Sequence, residues 1–274
     1  MDMKKILAVA TAIVGTTVMA DSLVSSSVVG YNQAGLRSGN QAKGVGNMFL
    51  NIDNSTLTLG DIIVTGYGAG EGGETGVYCQ FLDGYGRTID NMSYYWYDDG
   101  VKGEGTECED WWYGWYNSDS DVAYNDVILP AGEGVWMYSP STDYSIQGAG
   151  LVANAPIAVS LRSGNQAKMV VNPMPATLTF ADMWISGYAE GTGGETGVYC
   201  QFLDGYGRTI DNMSYYWYDD GVKDEGAECE DWWYGWYNSD SDVSYNDVEI
   251  PAGTGVWMYS PSTSYSVNFK SPLN

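Results

Sequence analysis

The sequence contains no histidine. That absence removes Ser-His-Asp and Cys-His catalysis, and every histidine-ligated zinc site, in one step. Basic residues are scarce, 11 Lys and Arg against 35 Asp and Glu, for a formal net charge of −24 at pH 7. Too few cations remain to build the basic face that phosphate binding needs, so nucleic acid and anionic membrane surfaces are excluded as partners. No segment after the first twenty residues approaches the roughly 18 consecutive apolar residues of a membrane-spanning helix. No stretch beyond that point keeps a sustained 3.6-residue apolar period either, which leaves little room for amphipathic helices.

What is present is aromatic and glycine-rich: 274 residues hold 23 Tyr, 11 Trp and 36 Gly, with 44% hydrophobic residues. That much apolar material argues against disorder, and the length suits two modest domains. Residues 1–20 read as a secretory signal peptide. Lys4 and Lys5 form the positive end, Ile6 to Val14 the apolar stretch, and Val18-Met19-Ala20 the small-residue cleavage site. The remainder is expected to be secreted, extracellular or on the cell surface.

The chain is a duplication. Gly73–Ser145 matches Gly194–Ser266 at a constant offset of 121, with differences at only seven of the 73 positions: 103, 106, 123, 128, 129, 133 and 143. Upstream, Leu36–Lys43 recurs as Leu161–Lys168 at an offset of 125. Two tandem homologous domains are expected, 21–150 and 151–274. Two copies of this size suit complete domains better than a solenoid.

Each repeat reads as all-β. Val77, Cys79 and Phe81 alternate with Tyr78, Gln80 and Leu82 up to a hairpin signal at Asp83-Gly84, and a second signal stands at Asp99-Gly100. Further strands are expected at Leu57–Leu59, Asp61–Thr65, Tyr94–Tyr97, Trp111–Tyr116 and Gly134–Ser139. Seven or eight short strands per repeat fit a β-sandwich or jelly-roll-like domain. Cys79 and Cys108 recur as Cys200 and Cys229, an even arrangement that in an exported chain reads as one intradomain disulfide each.

Three groups of residues are candidates for function. The first is aromatic: Tyr95, Trp96, Trp111, Trp112 and Trp115, repeated as Tyr216, Trp217, Trp232, Trp233 and Trp236. Runs of large rings on a strand face both sides of a sheet, so rings outside the core need a cover, either a subunit interface or a polysaccharide. The second is acidic. Asn117, Asp119 and Asp121, with Asn238, Asp240 and Asp242, space oxygen ligands at every second residue as calcium loops do, but without the EF-hand glycine. The third is the set of sequons at Asn54, Asn91 and Asn212, candidate glycosylation sites. Paired carboxylates could in principle serve glycoside hydrolysis, yet nothing singles out a pair, and the chain is not expected to be an enzyme.

Leu23, Val24, Val28, Val29 and Tyr31 form an apolar segment ahead of the first repeat. They are expected to hold the place that Leu151, Val152, Ile157 and Val159 hold between the repeats. A free strand there could pair with another subunit's open sheet edge, a head-to-tail contact that generates a homopolymer. The leader, the tandem β-domains and this segment together resemble bacterial extracellular fibre subunits that assemble by strand donation. Pro130-Ala131-Gly132-Glu133-Gly134-Val135-Trp136, repeated from Pro251 to Trp257 with Thr254 in place of Glu133, is similar to the endings of β-repeats in secreted bacterial proteins. The resemblance implies an extracellular filament subunit joined through its N-terminal strand. The alternative is a secreted polysaccharide-binding protein using exposed Trp and Tyr clusters.

Overall fold

The computed structural model describes residues 28–39, 41–52, 55–67, 74–98, 113–117, 123–164, 166–188, 195–219, 234–238 and 244–273. The signal segment, Leu23, Val24, Asn54, Cys108, Cys229, Trp111, Trp112, Trp232, Trp233, Asp119, Asp121, Asp240 and Asp242 lie outside the described residues, as does the expected hairpin at 99–100. The side chains of Asn91 and Asn212 lie outside the described part as well.

The described chain is all-β, with antiparallel pairing throughout. The first repeat supplies β1 (Val29–Gly35), β2 (Ala42–Gly46), β3 (Ile63–Thr65), β4 (Glu74–Leu82), β5 (Thr88–Asp98), β6 (Tyr113–Asn117), β7 (Gly134–Tyr138) and β8 (Ser145–Leu151). The second supplies β9 (Ile157–Ser160), β10 (Ala167–Val171), β11 (Leu178–Thr179), β12 (Met183–Ser186), β13 (Glu195–Leu203), β14 (Thr209–Asp219), β15 (Tyr234–Asn238), β16 (Glu249–Ile250), β17 (Gly255–Tyr259) and β18 (Ser266–Phe269). Each half of the chain builds a five-stranded sheet, ordered β2-β7-β4-β5-β6 and β10-β17-β13-β14-β15. Each also builds a three-stranded sheet, β1-β8-β3 and β12-β18-β9, and β11 pairs with β16.

Alternation decides which side chains face the core. Val77 and Cys79 on β4, Tyr94 and Trp96 on β5, and Val135 and Met137 on β7 meet Ala34, Val64 and Ile146 from the smaller sheet in one buried cluster. The second half repeats this with Val198, Cys200, Tyr215, Trp217, Val256 and Met258 against Val159, Ile185 and Val267. The β4–β5 hairpin turns where Asp83-Gly84 signals it, but over five residues, 83–87, instead of two, with Gly86 and not Gly84 at positive φ; Asp83 accepts hydrogen bonds from the Tyr85 and Arg87 amides. Leu57–Leu59 is not a strand. Thr58 makes a single bridge to Ile128 and then caps a one-turn 3₁₀ helix, Leu59–Asp61, whose Asp61 carboxylate accepts from the Thr58 amide at 2.7 Å. The Thr-x-x-Asp capping box ends the extended stretch there, as its counterpart does after Leu178–Thr179 in the second half.

The N-terminal segment is not free over its described part. All seven residues of β1 pair with β8 of the same half, from Val29 opposite Leu151 to Gly35 opposite Ser145. β1 is the first strand of its own repeat, as β9 is of the next, and Ala34 holds the buried place that Val159 holds. Val28, Val29 and Tyr31 therefore belong to an intrachain sheet, and the second half's small sheet already carries its own first strand, β9 on β18. The upstream match beginning at Leu36 fixes this register, because β1 runs directly into it.

Candidate interaction surface

The core tryptophans are not a platform. Trp96 and Trp115 are 1% and 0% exposed, Trp217 and Trp236 2% and 0%. Trp96 and Trp115 pack edge-to-face with centroids 5.3 Å apart, and the Trp217–Trp236 pair repeats the geometry. Their indole N–H groups are satisfied inside the chain. Trp115 donates to the Ile62 carbonyl at 2.9 Å and Trp236 to that of Met183 at 3.0 Å. Trp96 donates to the Tyr67 hydroxyl at 3.0 Å, which donates in turn to Asp98 at 2.7 Å, and Trp217, Tyr188 and Asp219 repeat the chain. Burial first, and the adjacent carboxylate second, raise the Tyr67 and Tyr188 hydroxyls far above the usual phenol range. These four tryptophans, expected as interface or glycan contacts, are interior because they sit in the inward register of β5, β6, β14 and β15.

The opposite register carries tyrosine. Pairing aligns Tyr138, Tyr78, Tyr95 and Tyr116 as one row across four strands. Tyr259, Tyr199, Tyr216 and Tyr237 form the twin row. Tyr78 stacks on Tyr138 with centroids 4.6 Å apart and planes 7° from parallel, and on Tyr95 at 5.3 Å. Tyr199 does the same with Tyr259 and Tyr216. Ring faces are thus taken up by neighbouring rings, and what remains outward is edge and hydroxyl. Burial raises the Tyr78 and Tyr199 hydroxyls, and the flanking phenols add to it.

Both rows run into a seam between the halves. Ala42, Trp136, Ala167, Met169, Val171 and Trp257 form one buried cluster there, with Leu82, Tyr138, Leu203 and Tyr259 against it. Among the described residues each backbone–backbone hydrogen bond across the seam occurs twice with the halves exchanged, and the Asn32 side-chain amide adds a one-sided bond to the Pro175 carbonyl at 2.8 Å. The Ala42 amide donates to the Gly205 carbonyl and the Ala167 amide to that of Gly84, both at 2.8 Å. Gly46 donates to Gly253 at 3.2 Å and Val171 to Gly132 at 2.9 Å. Single bridges join Val45 to Thr254 and Glu133 to Val170. The seam is therefore isologous, the same patch of each repeat meeting its own counterpart. Gly84 and Gly205 allow the approach, since a Cβ on either would lie 2.5–2.6 Å from the Cβ of the facing Gln166 or Gln41.

Among the described residues the remaining large exposed rings are Tyr31, Tyr85, Tyr113, Tyr206 and Tyr234. Tyr85 and Tyr206 stand at the tips of equivalent hairpins beside the seam, each with an arginine guanidinium 5.3 Å from its ring centre. Those arginines pair with Asp83 and Asp204, whose carboxyl groups are held below the usual range chiefly by backbone donation from Arg87 and Arg208. Of the acidic candidates only Asn117 and Asn238 are described, at the ends of β6 and β15. Among the described residues no three acidic or cysteine side chains gather as a metal site. Cys79 and Cys200 are fully buried, and burial raises their thiols well above the ordinary value. Among the described residues no helix is long and apolar enough to cross a membrane.

The Tyr67–Asp98 pair, the buried Asn47 and Asn172, and the seam escape a reading by residue type. The seam left a trace in the sequence: just past the matched Leu36–Lys43 segment Gly44 stands against Met169 and Gly46 against Val171, and Glu133 against Thr254 is one of the seven differences in the longer match. Comparison with protein-family models, curated proteins and solved structures finds no match.

Proposed function

We propose that this chain is a secreted, non-catalytic structural subunit of an extracellular or cell-surface assembly made from copies of itself. The observation that carries the reading is where the aromatics go. Among the described residues Trp96, Trp115, Trp217 and Trp236 fill the two cores and Trp136 and Trp257 the seam, stacked tyrosines lie half-buried on the opposite face of each larger sheet, and the large exposed rings are tyrosines, the residue type favoured at protein–protein contacts. The carboxylates whose contacts are described also hold structure together. Asp61 and Asp182 close capping boxes, Asp83 and Asp204 pin hairpin turns, and Asp98 and Asp219 hold half-buried phenols. Association through a donated Val29–Tyr31 strand is not retained, because β8 already pairs with those residues.

The same reading takes each repeat as a sandwich-like domain, 21–150 and 151–274, with disulfides Cys79–Cys108 and Cys200–Cys229. Peptide mapping after alkylation without reductant tests the two bridges. Electron microscopy of the chain from Asp21 onward, over a range of concentrations, tests the function. Regular filaments or sheets are expected, and dispersed monomers at every concentration would overturn it.

Exposed Tyr85 and Tyr206 beside the seam favour a second reading, polysaccharide binding. Soluble glycans should then bind the native chain and not Tyr85→Ala/Tyr206→Ala, and a broad glycan array without response retires it.

A further inference from the structure

The seam is isologous in backbone but not in side chains. Strand β2 faces β10 so that two positions meet their own counterparts. A Cβ on Gly44 would lie 2.6 Å from the Met169 sulfur. One on Gly46 would lie 2.6 Å from a Val171 methyl and closer still to the Glu133 carbonyl oxygen of its own half, so Gly46 is enclosed from both sides. At Gly44 half 1 thus supplies a hollow, and Met169 of half 2 fills it. Charge breaks the symmetry in the same sense. Lys168 donates to Glu133 at 2.6 Å across the seam and to the Ser160 carbonyl at 3.0 Å. Its counterpart Lys43 donates to the matching carbonyl of Gly35 at 2.8 Å, but Thr254 stands where the second carboxylate would be and turns its hydroxyl to Pro251.

These differences decide which halves can pair. Two copies of half 2 would set Met169 on Met169 and Val171 on Val171 in a space sized for one of each, and would leave both Lys168 ammoniums opposite a threonine. Two copies of half 1 would set glycine on glycine and leave voids under the tryptophans. Only half 1 on half 2 fills the space.

We propose that the seam is a polarised self-recognition surface, closed within one chain by its own other half and open to a second copy of the same chain by exchange of halves, always half 1 on half 2. Only residues 152–156 connect β8 to β9, and they are tied to both sides: Val152 donates to the Val28 carbonyl and Ser271 to that of Ala153. So short a tether gives the intrachain partner an effective concentration on the order of millimolar, and the closed form dominates in dilute solution. When chains fold at high local concentration, the same contacts join neighbouring chains with one polarity. The proposal rests on the self-assembly reading above and supplies its contact.

The test exchanges hollow and filler between full-length chains. One variant carries Gly44→Met and the other Met169→Gly, so each mismatches its own seam and the two complement one another. They are unfolded, refolded singly or as a 1:1 mixture, and weighed by light scattering after size exclusion. The mixture is expected to give a species of twice the chain mass containing both variants, absent from either alone. The double variant, with both exchanges in one chain, is expected to refold as a monomer melting within a few degrees of the native chain. No mixed dimer, homodimers of either variant, or a double variant as unstable as Gly44→Met alone would overturn the proposal. Native filaments without a mixed dimer would leave the assembly reading standing and remove this contact. A mixed dimer from a chain that never forms larger assemblies would do the reverse.

Discussion

Trp96 donates its indole N–H to the hydroxyl of Tyr67 at 3.0 Å, and that hydroxyl passes its own proton on to Asp98 at 2.7 Å. One phenol thus satisfies a nearly buried indole and a carboxylate in each half, by the same three residues in both repeats. Tyr67→Phe keeps the ring and removes the relay, leaving the Trp96 N–H without an acceptor. A loss of about 1–3 kcal/mol is expected from thermal or denaturant melts. Tyr188→Phe should cost the same in the second half, and the two losses should add, since the sites share no partner.

Tyr78 is the middle ring of a stack of three. Tyr78→Ala breaks two aromatic pairs at about 0.5–1.5 kcal/mol each, so a loss of roughly 1–3 kcal/mol beyond lost burial is expected. Tyr78→Phe should be close to neutral, because stacking needs the ring and not the hydroxyl. Melts that show the two variants equally damaging would contradict a stacking role.

Asn172 is fully buried, and its amide nitrogen donates to the carbonyls of Ile250 and Ala176, both at 2.8 Å, while its oxygen accepts from the Met174 amide at 2.9 Å. Asn47 holds the same place in half 1, donating to Leu129 at 2.8 Å and Thr58 at 3.2 Å. Asn172→Leu matches the volume but strands three backbone groups away from water. A loss of about 3 kcal/mol or more is expected in equilibrium unfolding.

High pH should unfold the chain. Burial raises the hydroxyls of Tyr67, Tyr78, Tyr94 and Tyr138 and their four counterparts above the ordinary phenol value. The folded chain therefore keeps protons that the unfolded chain releases near about pH 10. Their stabilising contribution is complete below that pH and falls as the pH rises through the raised folded values. Tyrosinate absorbance should lag in the native chain and then rise together with loss of structure. A titration that overlays the denatured chain's would contradict the shifts.

How far the sequence could be read shows best at β4. Its alternation names Val77 and Cys79 as inward and Tyr78 and Gln80 as outward, and its Asp-Gly ending marks where the chain turns though not the five-residue length of the connection, because a strand's two faces and a turn signal are local properties. The duplication likewise required the two halves to share one arrangement, since near-identical sequences meet identical local preferences. Strand pairing was not local. Whether Trp96 and Trp115 face a core or a partner depends on which side the smaller sheet covers, and that sheet is made from segments more than a hundred residues apart, β1 and β8. The same distance hid the fate of the N-terminal strand, whose apolar residues look free until β8 is seen beside them.

By itself the sequence determined an acidic, histidine-free, duplicated all-β chain rich in tyrosine. Composition, period and repetition are properties of neighbours along the chain, and they needed nothing else. Only the tertiary structure decided that Trp96 and Trp115 are core, that Tyr138, Tyr78 and Tyr95 stack in a row, and that Gly44 and Gly46 lie under Met169 and Val171. Each of those facts is a relation between residues brought together by sheet pairing and by the seam, and close packing makes such relations specific in a way no single strand can encode.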